Sequence, residues 1–182
     1  MHHLKHQTTP QIPCPKAQSG FTLFEFLLYL GLSTLTMLVI TMFLISLIEA
    51  RIKNQTITEV EQQGLQIMHT ITQTIRNSEN IYAPTQGITG GTLSLDALGL
   101  ANDPTIFDLQ GSTMRVIEGV ATPIALVNSR LSVSNLTFQN TSRINTPGTI
   151  RIQFTLTYNN TAGRREYSFT KTFTGSATLR QP

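Results

Sequence analysis

The sequence predicts an α+β fold, a long N-terminal helix packed on a small antiparallel β-sheet head, and three observations predict it. An apolar run of 28 residues, Phe21 to Ile48, contains one charged residue, Glu25. No proline occurs between Pro15 and Pro84, so nothing breaks a helix across that interval. Further on, "TIRIQFTLTY" alternates apolar and polar residues at the period of a half-buried strand.

The apolar run exceeds the about 20 residues that cross a bilayer as a helix. A carboxylate in hydrocarbon costs about 2.5 kcal/mol or more, so Glu25 needs a partner. Lys5 and Lys16 precede the run with no acid beside them, which favours an N-terminus on the cytoplasmic side. Arg51 and Lys53 on the far side oppose that bias, and Glu49 partly offsets them. A cleaved secretory signal would have an apolar block of about 7–15 residues ending at small residues. Here the run is about twice as long and flows into a charged helix. Cys14 precedes the run, where a lipoprotein signal would place it after.

Residues 49–80 are predicted to continue the same helix as an amphipathic segment. Ile57, Val60, Gly64, Ile67, Met68, Ile71 and Ile75 fall within an arc of roughly 100°, the width of a stripe that docks on a core. Glu59, Gln62, Gln66, His69, Gln73 and Asn77 take the other side. From Phe21 to about Asn80 this is one helix of about 60 residues and about 90 Å. Gly31 and Gly64 weaken it by about 1 kcal/mol each. The stripe is short and uncharged at its edges, which favours a sheet over a coiled-coil partner as its cover.

A β-rich head is predicted over residues 81–182, entered through the glycine-rich connection "APTQGITGGT". "TIFDLQ" and "TMRVIEG" flank Gly111 as a hairpin, and "TPIALVN" is a further strand or an extended link. "LSVSNLTFQ" changes parity between Val133 and Leu136, which predicts a bulge near Asn135. In "TIRIQFTLTY", Ile150, Ile152, Phe154, Leu156 and Tyr158 share one face. After the turn "NNTAGRR", "EYSFTKTFT" runs back with Tyr167, Phe169 and Phe173 on one parity. Lys171 shares that parity, which predicts an edge position or a charge that blocks further pairing.

The chain has 182 residues, 40% hydrophobic and 13% charged, enough for one small domain beyond the membrane segment. Without the first twenty residues, eleven basic side chains face ten acidic ones, so the body carries no strong field for nucleic acid or anionic lipid. The single cysteine, Cys14, excludes an intrachain disulfide.

Gly20-Phe21-Thr22-Leu23-Phe24-Glu25, followed by the apolar run, resembles the processing site of the type IV prepilins. The resemblance implies that residues 1–20 are a leader, that a prepilin peptidase cuts after Gly20, and that Phe21 is N-methylated. Cutting there creates a cationic amine at Phe21, with the Glu25 carboxylate about one turn along at the positive end of the helix. In a filament the resemblance implies that Glu25 pairs instead with the terminal amine of a neighbouring subunit. A buried charge without its mate costs several kcal/mol, so the acid would set register during assembly.

The same resemblance implies a pilin-like fold, with residues 21–48 as the transmembrane and filament-core helix and the head carried by its continuation. The implied partners are other pilins or pseudopilins, the prepilin peptidase, the inner-membrane assembly platform, and lipid before assembly. The implied location is the prokaryotic cytoplasmic membrane, single-pass with the N-terminus inside, and then a pilus or pseudopilus outside it. The length, the threonine-rich strands and "FTGSATLR" are most similar to minor pilins of the PilW and pseudopilin J kind. The mid-helix proline and C-terminal disulfide loop of major pilins are missing, which favours a minor role at initiation or at the tip.

No catalytic or cofactor pattern stands out. His2, His3 and His6 lie in the leader without ligand spacing, and His69 falls on the polar helix face. Asp96, Asp103 and Asp108 surround a loop without an EF-hand pattern, and Gly87, Gly90 and Gly91 precede no Gly-Lys-Ser/Thr. Arg164 and Arg165 at a hairpin tip support nucleic-acid contact only weakly. The expectation is a structural subunit without enzymatic activity, cofactor or metal. The alternatives are a signal-anchored surface binding module, such as an adhesin or DNA receptor, and a membrane-tethered enzyme, which would need a cleft with convergent polar groups.

Overall fold

The computed structural model describes Gly20, residues 22–97, Gly99, residues 101–161 and residues 163–180. The chain divides into two compact units, the first ending at Ile45 and the second starting at Ser46. Helix α1 (Leu23–Arg76) begins in the first unit and is unbroken for 54 residues.

Within the first unit, the large apolar side chains of α1 are exposed among the described residues. The helix is long and apolar enough to span a membrane. Its threonines close their hydroxyls on the helix's own carbonyls, Thr34 on Gly31 at 2.9 Å and Thr41 on Met37 at 2.8 Å. The hydroxyls of Thr34, Thr36 and Thr41 are thereby satisfied without water.

In the second unit, the rest of α1 packs on two antiparallel sheets. The first has the order β1 (Ser78–Ala83), β3 (Leu93–Ala97), β4 (Thr105–Gln110), β5 (Thr113–Glu118), β6 (Ile124–Ala125). The second has the order β2 (Thr89–Gly90), β7 (Leu131–Asn140), β8 (Thr149–Tyr158), β9 (Thr170–Thr178). The predicted α+β class is therefore present, with two sheets where the alternation pointed to one. A single core joins them to the helix: Val60, Ile67, Ile71 and Ile75 meet Leu93, Phe107 and Met114 from one sheet and Phe138, Ile152 and Phe154 from the other.

Most of the predicted stripe is buried, with Ile57 and Met68 half-buried at its edges. Val60, Gly64, Ile67, Ile71 and Ile75 are buried, and Thr56 joins them by turning its hydroxyl back to the Ile52 carbonyl at 3.1 Å. Polar residues flank the stripe and tie it down. Glu59 accepts from Asn128 Nδ2 at 3.0 Å, and Glu61 accepts from Lys171 Nζ at 2.6 Å.

The helix ends earlier than the predicted Asn80. Asn77 and Ser78 close it by donating to the Gln73 and Thr74 carbonyls, and Ser78 already pairs with Ala97. Residues 77–80 offer no apolar side chain to the stripe, so sheet pairing wins, and the β-rich head starts at Ser78 instead of residue 81. The glycine-rich connection also contains β2, which exists only through its pairing with β7.

Several local predictions hold. Gly111 turns the β4–β5 hairpin with φ 63, a conformation that suits glycine in a two-residue loop. Asn135 has φ 52, and the β7–β8 register shifts between Ser134 and Thr137, which is the bulge. β9 is the sheet edge that Lys171 suggested. It begins only at Thr170, because Tyr167 belongs to a short 3-10 helix (Arg165–Tyr167) and stacks on Tyr158 at 5.9 Å.

Candidate functional site

The processing motif lies at the start of α1. Gly20 is exposed and precedes the helix, while Phe21, the expected methylated terminus, and residues 1–19 lie outside the described residues. Thr22 is the residue before the first helical turn. Its Oγ1 accepts from the Glu25 N–H at 3.3 Å, and its carbonyl accepts from the Phe26 N–H at 3.1 Å. Thr22 to Glu25 thus has the Thr-x-x-Glu spacing of a capping box, which satisfies one of the free N–H groups at a helix start. This local role of Thr22 lies outside the charge pairing expected of Glu25, although the Thr-x-x-Glu spacing is visible in the residue order. The Glu25 carboxylate also sits in the first turn, where the helix dipole favours it.

The second unit has a groove of about 500 Å³ lined by residues 79–82 of β1, by Thr85 and Gln86, by the β7–β8 loop and by Leu179 and Arg180. Asn140 holds its walls together. Its Nδ2 donates to the Pro84 carbonyl at 2.8 Å, and its Oδ1 accepts from the Ser142 N–H at 3.1 Å. Gln86 Nε2 closes the same seam by donating to the Ser142 carbonyl at 2.8 Å. Glu79, Arg143 and Arg180 give the lining mixed charge. Asn140, Gln86 and Ser142 thus spend their polar groups on the seam itself.

Of the three loop aspartates, Asp96 and Asp103 both act on Tyr82, and Asp108 lies apart from them. Asp108 is taken by Arg115 across the β4–β5 hairpin, at 2.9 Å to Nε and 2.5 Å to Nη2. Those hydrogen bonds raise the Arg115 guanidinium above its usual value. Asp103 accepts from the Tyr82 hydroxyl at 3.4 Å. Burial, then the charges of Asp103 and Asp96, push the Tyr82 phenol up. Among the described residues no three His, Cys, Asp or Glu side chains gather as a metal site, and His69 stands exposed on the helix. Arg164 pairs with Glu166 at 2.5 Å.

No protein-family model, no curated protein and no solved structure matches the chain.

Proposed function

We propose that the chain is a prepilin which, after processing, serves as a minor structural subunit of a type IV pilus or of a secretion or competence pseudopilus. The observation that carries this reading is Gly20-Phe21-Thr22-Leu23-Phe24-Glu25 at the start of a membrane-length helix. A helix whose second half docks on a β-rich head supports it, because one element then joins the membrane to the folded domain. Prepilin peptidase would cut after Gly20, Phe21 would carry the methylated amine, and Glu25 would pair with a neighbouring subunit's amine. On this reading the subunit works by packing, and its partners supply the energy for assembly.

Mass spectrometry of the N-terminal peptide from membrane-extracted protein tests it. The expected chain starts at N-methylated Phe21. A chain that keeps residues 1–20 beside an active prepilin peptidase overturns the reading. The groove under Asn140 favours a second reading, a surface binding module that uses the helix only as an anchor. Glu25→Ala separates the two: a filament subunit stays inserted but loses assembly, whereas an anchored receptor keeps both insertion and ligand binding.

A further inference from the structure

The connection between β8 and β9 folds back beside the end of the apolar run. Arg165 and Glu166 share a shallow cleft of about 290 Å³ with Ser46, Glu49, Ala50 and Lys53 of α1. Ser46 still belongs to the apolar run, so this connection reaches the last turn of the segment expected to leave the bilayer. The side chains of Lys53 and Arg165 are exposed and form no ion pair or hydrogen bond among the described residues. Arg164 adjoins them, with Glu166 already engaged at 2.5 Å, which leaves Glu49 as the opposing free charge. By contrast, Arg115, Arg130 and Lys171 are paired with Asp108, Glu59 and Glu61.

We infer that Lys53 and Arg165 form a surface for lipid headgroup phosphates. With α1 in a bilayer, these side chains lie level with the phosphates of the leaflet next to the head. Guanidinium forks match phosphate oxygens, and an ammonium adds a point charge. Each basic side chain near an anionic membrane surface contributes about a fivefold preference. The contact holds the β8–β9 connection on the membrane until the subunit leaves it. The inference rests on the membrane reading of the helix and is independent of cleavage at Gly20.

The test uses the full chain, with Cys14→Ser, in nanodiscs of phosphatidylcholine with or without phosphatidylglycerol. A fluorophore is placed through a single cysteine at Thr161, at Ile144 or at Met37. Ile144 is the distant control: its loop lines the groove with Arg180, whose N–H donates to the Arg76 carbonyl at the other end of the docked helix, about 45 Å from Ser46. With phosphatidylglycerol, headgroup nitroxides are expected to quench the Thr161 label at least fivefold more than the Ile144 label. Lys53→Glu with Arg165→Glu, or high salt on the unaltered chain, is expected to remove the difference.

Quenching at Thr161 that ignores phosphatidylglycerol, salt and charge reversal overturns the phosphate surface. A Met37 label quenched by acyl-chain nitroxides beside an unquenched Thr161 label overturns this inference alone. An unquenched Met37 label overturns it together with the membrane reading.

Discussion

The ring of Phe173 on β9 fills the space that a Cβ on Gly64 of α1 would need. In return, the Met68 sulfur lies 2.7 Å from where a Cβ on Gly175 would stand. Helix and strand each offer a glycine to the other's large side chain, and close packing leaves no slack for a methyl group there. Phe173 is held from behind by Phe154, with ring centroids 5.4 Å apart, so its ring has no easy retreat.

Gly64→Ala should therefore destabilise the protein although alanine is the better helix former. The helix gains about 1 kcal/mol, and overpacking against Phe173 costs about 1–3 kcal/mol. Denaturant unfolding in detergent should show a net loss, largely recovered by adding Phe173→Leu. Gly31→Ala, with nothing within 4 Å, should show no such loss.

Asn140→Asp should loosen the groove. The substitution keeps an acceptor for Ser142 but turns the donor facing the Pro84 carbonyl into another acceptor. An unsatisfied buried pair of this kind costs about 1–3 kcal/mol. The loss should shrink at low pH, where a protonated carboxyl can donate to Pro84 again, and thermal melts at two pH values would show it.

Glu61 and Lys171 should couple weakly in a double-mutant cycle. Their side chains are 43% and 42% exposed, so water and salt screen the pair. A coupling of about 1 kcal/mol or less that falls as salt rises is expected. Lys171→Val should matter more for solubility than for folding, because it removes the charge from an edge strand. Light scattering of the variant would register the resulting association.

Tyr82 should ionise above the ordinary phenol value of 10.0. Its raised folded value favours the protonated form, so its stabilising effect is present below the ordinary value and disappears as pH rises through the folded one. Absorbance titration should show this late component, Tyr82→Phe should remove it, and Asp103→Asn should bring it down. A titration unchanged by Asp103→Asn would exclude the aspartate as a cause.

The docking stripe of α1, the alternation of β8, the Gly111 hairpin and the Asn135 bulge could all be read from the chain, because each depends on a local period or a local backbone preference. The Thr22 cap is equally local, since it depends only on the Thr-x-x-Glu spacing. β1 and β2 were not readable. β2 has two residues and β1 lacks an apolar alternation, and both are strands because β3 and β7 offer them hydrogen bonds.

The candidate sites divide in the same way. The motif from Gly20 to Glu25 is contiguous, so residue order alone displays it. The groove around Asn140 and the cluster of Lys53 with Arg165 join residues distant in the chain. Alternation tells which face of a strand is buried but not which strand lies beside it, so it could not separate one sheet from two. Nor could it show that Gly64 would receive Phe173. Those partners are chosen when helix and sheets close on a common core, where shape and volume select among the many pairings that periodicity allows.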